Sequence, residues 1–89
     1  MIVTRRVYCL HDGSSERKEI TKFVNKEGII AEHDYDKDYL WWEHLGLFMT
    51  RSRATKYAKD HHIKLCVHSM VIHTDWMYEM ALKDMVKEN

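Results

Sequence analysis

The sequence contains no proline and only three glycines, at positions 13, 28 and 46. These residue types most often end helices and strands, so their scarcity predicts nearly continuous elements joined by short connections. At 89 residues the chain is shorter than most domains and can bury only a modest core. We therefore expect a single domain over residues 1–89, with little room for an enclosed active site.

Other features that identify classes of protein are also missing. The two cysteines, Cys9 and Cys66, are too few for a disulfide framework and form no C-x-x-C pair. No apolar run approaches the roughly 20 residues of a membrane span, and no signal segment is recognisable. Fourteen basic and fourteen acidic side chains cancel, which excludes a global attraction to nucleic acid or to an anionic membrane. We expect a cytoplasmic protein that engages no membrane, and no motif predicts a cofactor.

Bulky side chains are present in the proportion of a folded domain, with 45% hydrophobic and 11% aromatic residues. Residues 2–10 alternate apolar and polar side chains, which is typical of a strand. Residues 19–24 fit either a helix or a strand. The loop Asn25-Lys26-Glu27-Gly28 that follows favours a β-hairpin, with residues 29–31 as its second strand.

The second half of the sequence combines strands with helices. Residues 41–49 suit a central strand, and Thr50 then caps a short amphipathic helix through its hydroxyl. Residues 63–72 alternate again, and Thr74 or Asp75 caps a final helix. The expected fold is α+β, with a small, mostly antiparallel sheet of about five strands and two helices in the order β-β-β-β-α-β-α.

The final helix carries apolar residues on more than one face. Its broad stripe consists of Trp76, Met77, Met80, Ala81 and Met85. Leu82 and Val86 fall outside the stripe, and this second apolar face predicts a binding partner. With the neighbouring tryptophans, the predicted apolar interface comprises Trp41, Trp42, Leu82 and Val86.

Two local patches of opposite charge break the neutral average. The acidic patch comprises Glu32, Asp34, Asp36, Asp38 and Glu43. The basic patch lies at the short helix and its exit, and comprises Arg51, Arg53, Lys56, Lys59 and Lys64. Such patches usually keep a surface solvated, but the acidic one could dock on a basic protein, and the basic one could hold the phosphates of single-stranded RNA or DNA.

Seven histidines raise the alternative of a metal or hydrolytic site. No H-E-x-x-H motif and no paired C-x-x-C and H-x-x-x-H motif occurs. A site assembled only in the folded chain would draw on His33, His44, Cys66 and His68. The competing interpretation is that these are exposed or core histidines, so we expect no metal.

Residues 46–61 resemble a unit of small tailed-phage accessory proteins. There a strand ending in Phe-x-Thr leads into a short helix with Ala-x-x-Tyr-Ala-Lys-x-His, as in Phe48-Met49-Thr50 and in the run from Ala54 to His61 here. The resemblance implies a viral origin and a role as an inhibitor or modulator of a host enzyme or defence system. It carries no functional residue across.

The expected function is that of a non-enzymatic binding protein of phage origin that acts on a host protein in the host cytoplasm, and both a monomer and a homodimer fit this expectation. A small module that binds single-stranded RNA or DNA is the first alternative. A small metal-binding or hydrolytic protein is the second.

Overall fold

The structure, a computed structural model, describes residues 5–13, 22–32 and 44–87. In chain order its elements are β1 (Arg5–His11), β2 (Lys22–Val24), β3 (Ile30–Glu32), α1 (Arg51–Asp60), β4 (Cys66–Ile72) and α2 (Asp75–Lys83). The predicted α+β class, with a small antiparallel sheet and two helices, is confirmed. Neither helix in these ranges is long and apolar enough to cross a membrane.

The sheet is built around one long antiparallel pair, β1 with β4. These strands pair over seven residues, from Arg5 opposite Ile72 to His11 opposite Cys66. β1 meets β2 at a single pair, His11 opposite Phe23. Among the described residues the strand order is β3-β2-β1-β4, so within them β4 forms one edge of the sheet and the short β3 forms the other.

The predicted hairpin joins β2 to β3. Asn25 organises its turn, since its side-chain oxygen accepts hydrogen bonds from the N–H groups of Glu27 (3.1 Å) and Ile29 (2.9 Å). Gly28 has a φ of 83°, in the left-handed region that glycine adopts without strain. The turn chemistry of Asn25 and Gly28 therefore sets this part of the fold locally.

The prediction of about five strands is wrong for the described residues, where the sheet has four and the order is β-β-β-α-β-α. The described part of the predicted central strand, residues 44–49, makes isolated bridges instead. Each bridge goes to a different segment: Leu45 to Asn25, Leu47 to Met85 and Phe48 to Tyr8. Because no two consecutive pairs share one partner strand, no ladder forms. Residues 41–43 lie outside the described residues.

Gly46 permits the close approach of three segments at this crossing. Its N–H donates to the carbonyl oxygen of Val24 at 2.9 Å. A Cβ atom at this position would overlap the backbone of Asn25 and would lie 2.5 Å from Cγ2 of Val86. Because Gly46 has no side chain, residues 44–49 can pass between Asn25, which follows β2, and Val86.

The two helices pack on opposite faces of the sheet. Alternate residues of β1 point to opposite sides, so Val7 and Cys9 join a core cluster with Ala81 of α2. Leu10 joins a second cluster with Ala54 of α1.

Each helix begins at a threonine cap: Thr50 as predicted, and Thr74 rather than the alternative Asp75. The hydroxyl of Thr50 accepts from the N–H of Arg53 at 3.1 Å. The hydroxyl of Thr74 accepts from the N–H of Met77 at 3.1 Å. Each bond satisfies an N–H group that has no partner within its own helix.

Candidate functional site

An apolar groove of about 660 Å³ runs between α2 and the sheet. Its deep side is formed by the buried side chains of Leu45, Leu47 and Ile72. The helix contributes Trp76, Met77, Met80 and Ala81, and β4 contributes Met70. We call this feature the α2 groove.

Three large side chains that line the α2 groove are exposed. Trp76 keeps 69% of its surface accessible, Met80 46% and Met70 40%. Trp and Met are enriched in the buried centres of protein interfaces, whereas scattered single apolar residues on a surface carry no such meaning. Contiguity with the groove is what distinguishes these three side chains.

Charged residues border the groove at one end. Lys26 and Asp84 both line it, and Lys26 Nζ lies 3.8 Å from Asp84 Oδ1. This ion pair is partly exposed and contributes little to stability. The pair places one positive and one negative side chain at an end of the apolar groove. Such a groove suits a segment with apolar side chains along its length and polar groups at its end.

The sequence pattern placed Trp76 and Met80 in the broad apolar stripe of the final helix, and the predicted apolar interface did not include them. With about 100° between successive residues, these two lie to one side of Ala81, which is 5% exposed. A nine-residue helix cannot bury so wide an apolar arc against one sheet. The width of the stripe was the signal that part of it would remain uncovered.

The predicted apolar interface does not form one surface among the described residues. Leu82 is 46% exposed but lies on the other flank of α2, away from the groove. Val86 is a correction: it is 7% exposed and packs in the core with Leu10 and Phe48. The helix ends at Lys83, so Val86 is not on a helical face at all. Trp41 and Trp42 lie outside the described residues.

A second notable feature is a pair of histidines on the sheet face that α2 covers in part. The rings of His11 and His68, which we call the histidine pair, stack with centroids 3.5 Å apart and planes 5° from parallel. They are diagonal neighbours, because Cys66 lies opposite His11 and Cys9 lies opposite His68. The N–H of Gly13 donates to Nδ1 of His11 at 3.0 Å.

Burial keeps the histidine pair neutral at physiological pH. Burial first, and then the neighbouring His68, lower the pKa of His11 to about 4, although the Asp12 carboxylate opposes the shift. Burial also lowers the pKa of His68 from its ordinary value. Nε2 of His68 is buried with no hydrogen-bond partner among the described residues. Two stacked rings cannot both carry a charge without strong repulsion.

Among the described residues, the predicted metal set of histidines and Cys66 is not brought together. His68 meets His11 rather than His44, which is exposed, and Cys66 is also exposed. His33 lies outside the described residues. Within the described ranges no group of three or more His, Cys, Asp or Glu side chains could hold a metal ion. Nitrogen lone pairs lie in the ring planes, so the stacked rings do not direct them to a common point.

The thiol of Cys9 is not placed to act as a nucleophile. It is 1% exposed, and its Sγ lies 3.7 Å from the carbonyl oxygen of His68. Burial raises its pKa to about 12, which keeps it protonated at neutral pH.

All five residues of the basic patch are exposed, four on α1 and Lys64 after it. At about 100° per residue, the four on α1 spread around its outer arc rather than along one ridge. Arg51 lies 5.4 Å from the ring centroid of Tyr8, and Lys56 Nζ lies 2.8 Å from Asp60 Oδ2. Two of the charges are thus engaged within the chain.

Tyr57 is part of the packing rather than a surface platform for bases. Its hydroxyl donates to the carbonyl oxygen of Gly28 at 3.0 Å. Its ring contacts Phe48, at a centroid distance of 5.3 Å, and His61, at 4.2 Å. Both the hydroxyl and the ring of Tyr57 are therefore engaged within the chain.

Of the acidic patch, the structure describes only Glu32, which is exposed at the end of β3. Asp34, Asp36, Asp38 and Glu43 lie outside the described residues.

Comparison with known proteins gives no match: no family model matches the chain, and no curated protein or solved structure matches it significantly.

Proposed function

We propose that the chain is a non-enzymatic protein-binding domain that takes an apolar segment of another protein into the α2 groove. The observation that carries the proposal is the exposure of Trp76, at 69%, at the mouth of a groove of about 660 Å³. A tryptophan in this position exposes apolar surface that a partner would remove from water.

The occupant that fits is an amphipathic segment with bulky apolar side chains on one face and polar groups at its end. The apolar side chains would fill the groove beside Trp76 and Met80. The polar groups would meet Lys26 and Asp84 at the charged end. Trp anchors in such grooves often account for about 2 kcal/mol or more of the binding free energy.

The resemblance of residues 46–61 to phage accessory proteins extends the proposal to the partner. The bound segment would belong to a host enzyme or defence protein in the cytoplasm, and occupancy of the groove would inhibit or redirect that protein. This part of the proposal rests on the resemblance and not on the groove.

Two other interpretations have less support from the geometry. The basic patch is spread around α1, and two of its charged side chains are engaged within the chain. It does not line up as a groove along a nucleic-acid backbone in the described residues, so binding of single-stranded RNA or DNA stays a prediction. The metal or hydrolytic interpretation lacks an assembled ligand set in the described residues.

The test is capture from a bacterial lysate followed by measurement of Kd for the recovered partner. Trp76→Ala should raise Kd about 30-fold, which corresponds to the loss of about 2 kcal/mol. Met80→Ala should also weaken binding. Leu82→Ala is the matched control, because Leu82 and Met80 are both 46% exposed on the same helix but only Met80 lines the groove.

Leu82→Ala should leave Kd unchanged. A partner that binds all of these variants equally well would show that the groove is not its site. Recovery of no stoichiometric partner in repeated captures would contradict the protein-binding proposal itself.

A further inference from the structure

The outer edge of β4 carries backbone groups whose direction can be deduced from the opposite side of β1. Tyr8 exchanges two hydrogen bonds with Phe48: its N–H donates at 2.9 Å and its carbonyl oxygen accepts at 2.7 Å. The backbone of Tyr8 therefore points away from β4. Its pairing partner on β4 is Ser69, and in an antiparallel ladder both members of such a pair point outward.

This direction alternates along β4. Ser69 therefore turns its N–H and carbonyl groups to the open side, and so do Val67 and Val71. No hydrogen bond joins these groups to any of the described residues. We call this feature the β4 edge.

Within the part of the chain that the structure describes, the β4 edge lacks the devices by which proteins protect an exposed strand. Natural edge strands carry charged side chains, prolines or bulges, or are very short. β4 has seven residues, reads CVHSMVI and contains no Lys, Arg, Asp, Glu or Pro. Its pairing with β1 runs through all seven residues without a bulge.

We propose that the β4 edge pairs with the β4 edge of a second copy of this chain, in antiparallel orientation about a two-fold axis at Ser69. The two four-stranded sheets would then form one continuous sheet. The inference goes beyond the α2 groove and does not rest on it.

The arrangement of the edge groups is self-complementary in this register. Ser69 lies opposite Ser69 of the second copy, and Val67 lies opposite Val71 of the second copy on either side. Each of these pairs exchanges two hydrogen bonds, so every outward N–H and carbonyl group of the β4 edge is satisfied. A slip of two residues would leave groups at both ends unpaired.

The side chains of β4 also suit a second copy. The residues of β4 bring no like charges together, because the strand carries no Lys, Arg, Asp or Glu; the nearest cation is Arg6 of β1, whose Nη1 donates to Ser69 Oγ at 3.2 Å. Met70, which is 40% exposed, would face His68 of the second copy, and the β-branched Val67 and Val71 would be cross-strand neighbours. A strand from an unrelated protein has no such built-in match of length and register.

Sedimentation velocity of the full chain tests the proposal. The wild-type chain should sediment with twice the 10.8 kDa mass of one chain. Ser69→Lys places two ammonium groups opposite each other at the axis and should weaken dimerisation by more than about tenfold. Ser69→Glu should weaken dimerisation less, because each carboxylate also lies beside Arg6, whose Nη1 donates to Ser69 Oγ at 3.2 Å in the wild-type chain.

An equimolar mixture of the two variants should recover the dimer, because Lys and Glu then face each other across the axis. Ser52→Lys, at an exposed position of α1, is the control for added charge and should remain dimeric. Circular dichroism should show that each variant is folded.

A monomeric wild-type chain overturns the proposal and leaves the edge to a strand of another protein. A dimer that both charge variants leave intact overturns it too. Failure of the mixture to dimerise overturns the register centred on Ser69. None of these outcomes depends on Trp76 or Met80, so failure here is distinguishable from failure of the groove proposal.

Discussion

Replacing His11 with asparagine should reduce the loss of stability that the chain suffers when the pH falls below neutrality. In the wild-type chain His11 is 9% exposed and stacks on His68, and its pKa is lowered from 6.5 to about 4. Asparagine removes the titrating ring. Its side-chain oxygen can still accept the hydrogen bond from Gly13 that Nδ1 of His11 accepts at 3.0 Å.

The sign and size of the effect follow from the two pKa values. Between pH 6.5 and about 4 the unfolded chain binds a proton that folded His11 does not, so folding stability falls as the pH falls. The contribution of neutral His11 to the free energy of unfolding is fully present above pH 6.5 and fully lost below about pH 4. Each pKa unit corresponds to 1.36 kcal/mol. His11 therefore accounts for a loss of about 2 kcal/mol from pH 7 to pH 5 and about 3 kcal/mol in all.

Urea unfolding at pH 7 and pH 5, at one fixed chain concentration, measures the difference. The wild-type chain should lose about 2 kcal/mol more than His11→Asn over this interval, because the contributions of carboxyl groups cancel in the comparison. His62→Asn is the control: His62 is exposed with a φ of 55°, a conformation that asparagine tolerates. It should keep the wild-type pH dependence.

The reasoning is refuted if His11→Asn and the wild-type chain lose equal stability. An NMR titration gives an independent check, since the midpoint of the His11 ring protons should lie at about 4. A midpoint near 6.5 would show that the stacked and buried environment does not act on the ring as described.

Two further predictions concern the crossing at Gly46 and the two thiols. Gly46→Ala should destabilise the chain by about 2 kcal/mol or more, because the new methyl group overlaps the backbone of Asn25. Ser52→Ala, on the exposed side of α1, is the control and should leave the stability unchanged. A thermal melt in which the Gly46→Ala chain is as stable as the wild type would contradict the close approach. In the native protein a thiol reagent should modify the exposed Cys66 rapidly. Cys9 is 1% exposed and has a pKa of about 12, so it should react only on unfolding. Cys66→Ser should remove the fast phase, and equal reaction rates for the two cysteines would count against the buried position of Cys9.

Surface placement was predictable from the sequence only where local chemistry decided it. The residues of the basic patch are exposed because charged side chains rarely leave water. The spacing of Trp76 and Met80 places them in the broad apolar stripe of the last helix, but it does not predict that they stay exposed. Whether a stripe is covered depends on how much sheet lies beneath the helix, and the spacing of residues within the helix does not contain that information.

The sequence by itself determined those features that depend on neighbours a few residues apart. The hairpin follows from Asn25 and Gly28, the helix starts follow from the hydroxyls of Thr50 and Thr74, and the strand character of β1 follows from its alternation. In each case the groups that interact are close along the chain, so the sequence pattern is enough to define them.

Only the tertiary structure decided which distant segments meet. Residues 44–49 have the alternation of a strand, but their backbone bonds to three separate segments and forms no ladder. Val86 follows an apolar helix, yet it lies in the core because its N–H donates to the carbonyl oxygen of Leu47 at 2.9 Å. The ring of His11 is neutral first because the fold buries it, and second because the pairing of β1 with β4 places it beside His68, and both effects lower its pKa. These outcomes depend on contacts between residues far apart in the chain, and several pairings satisfy the same local pattern until packing selects one.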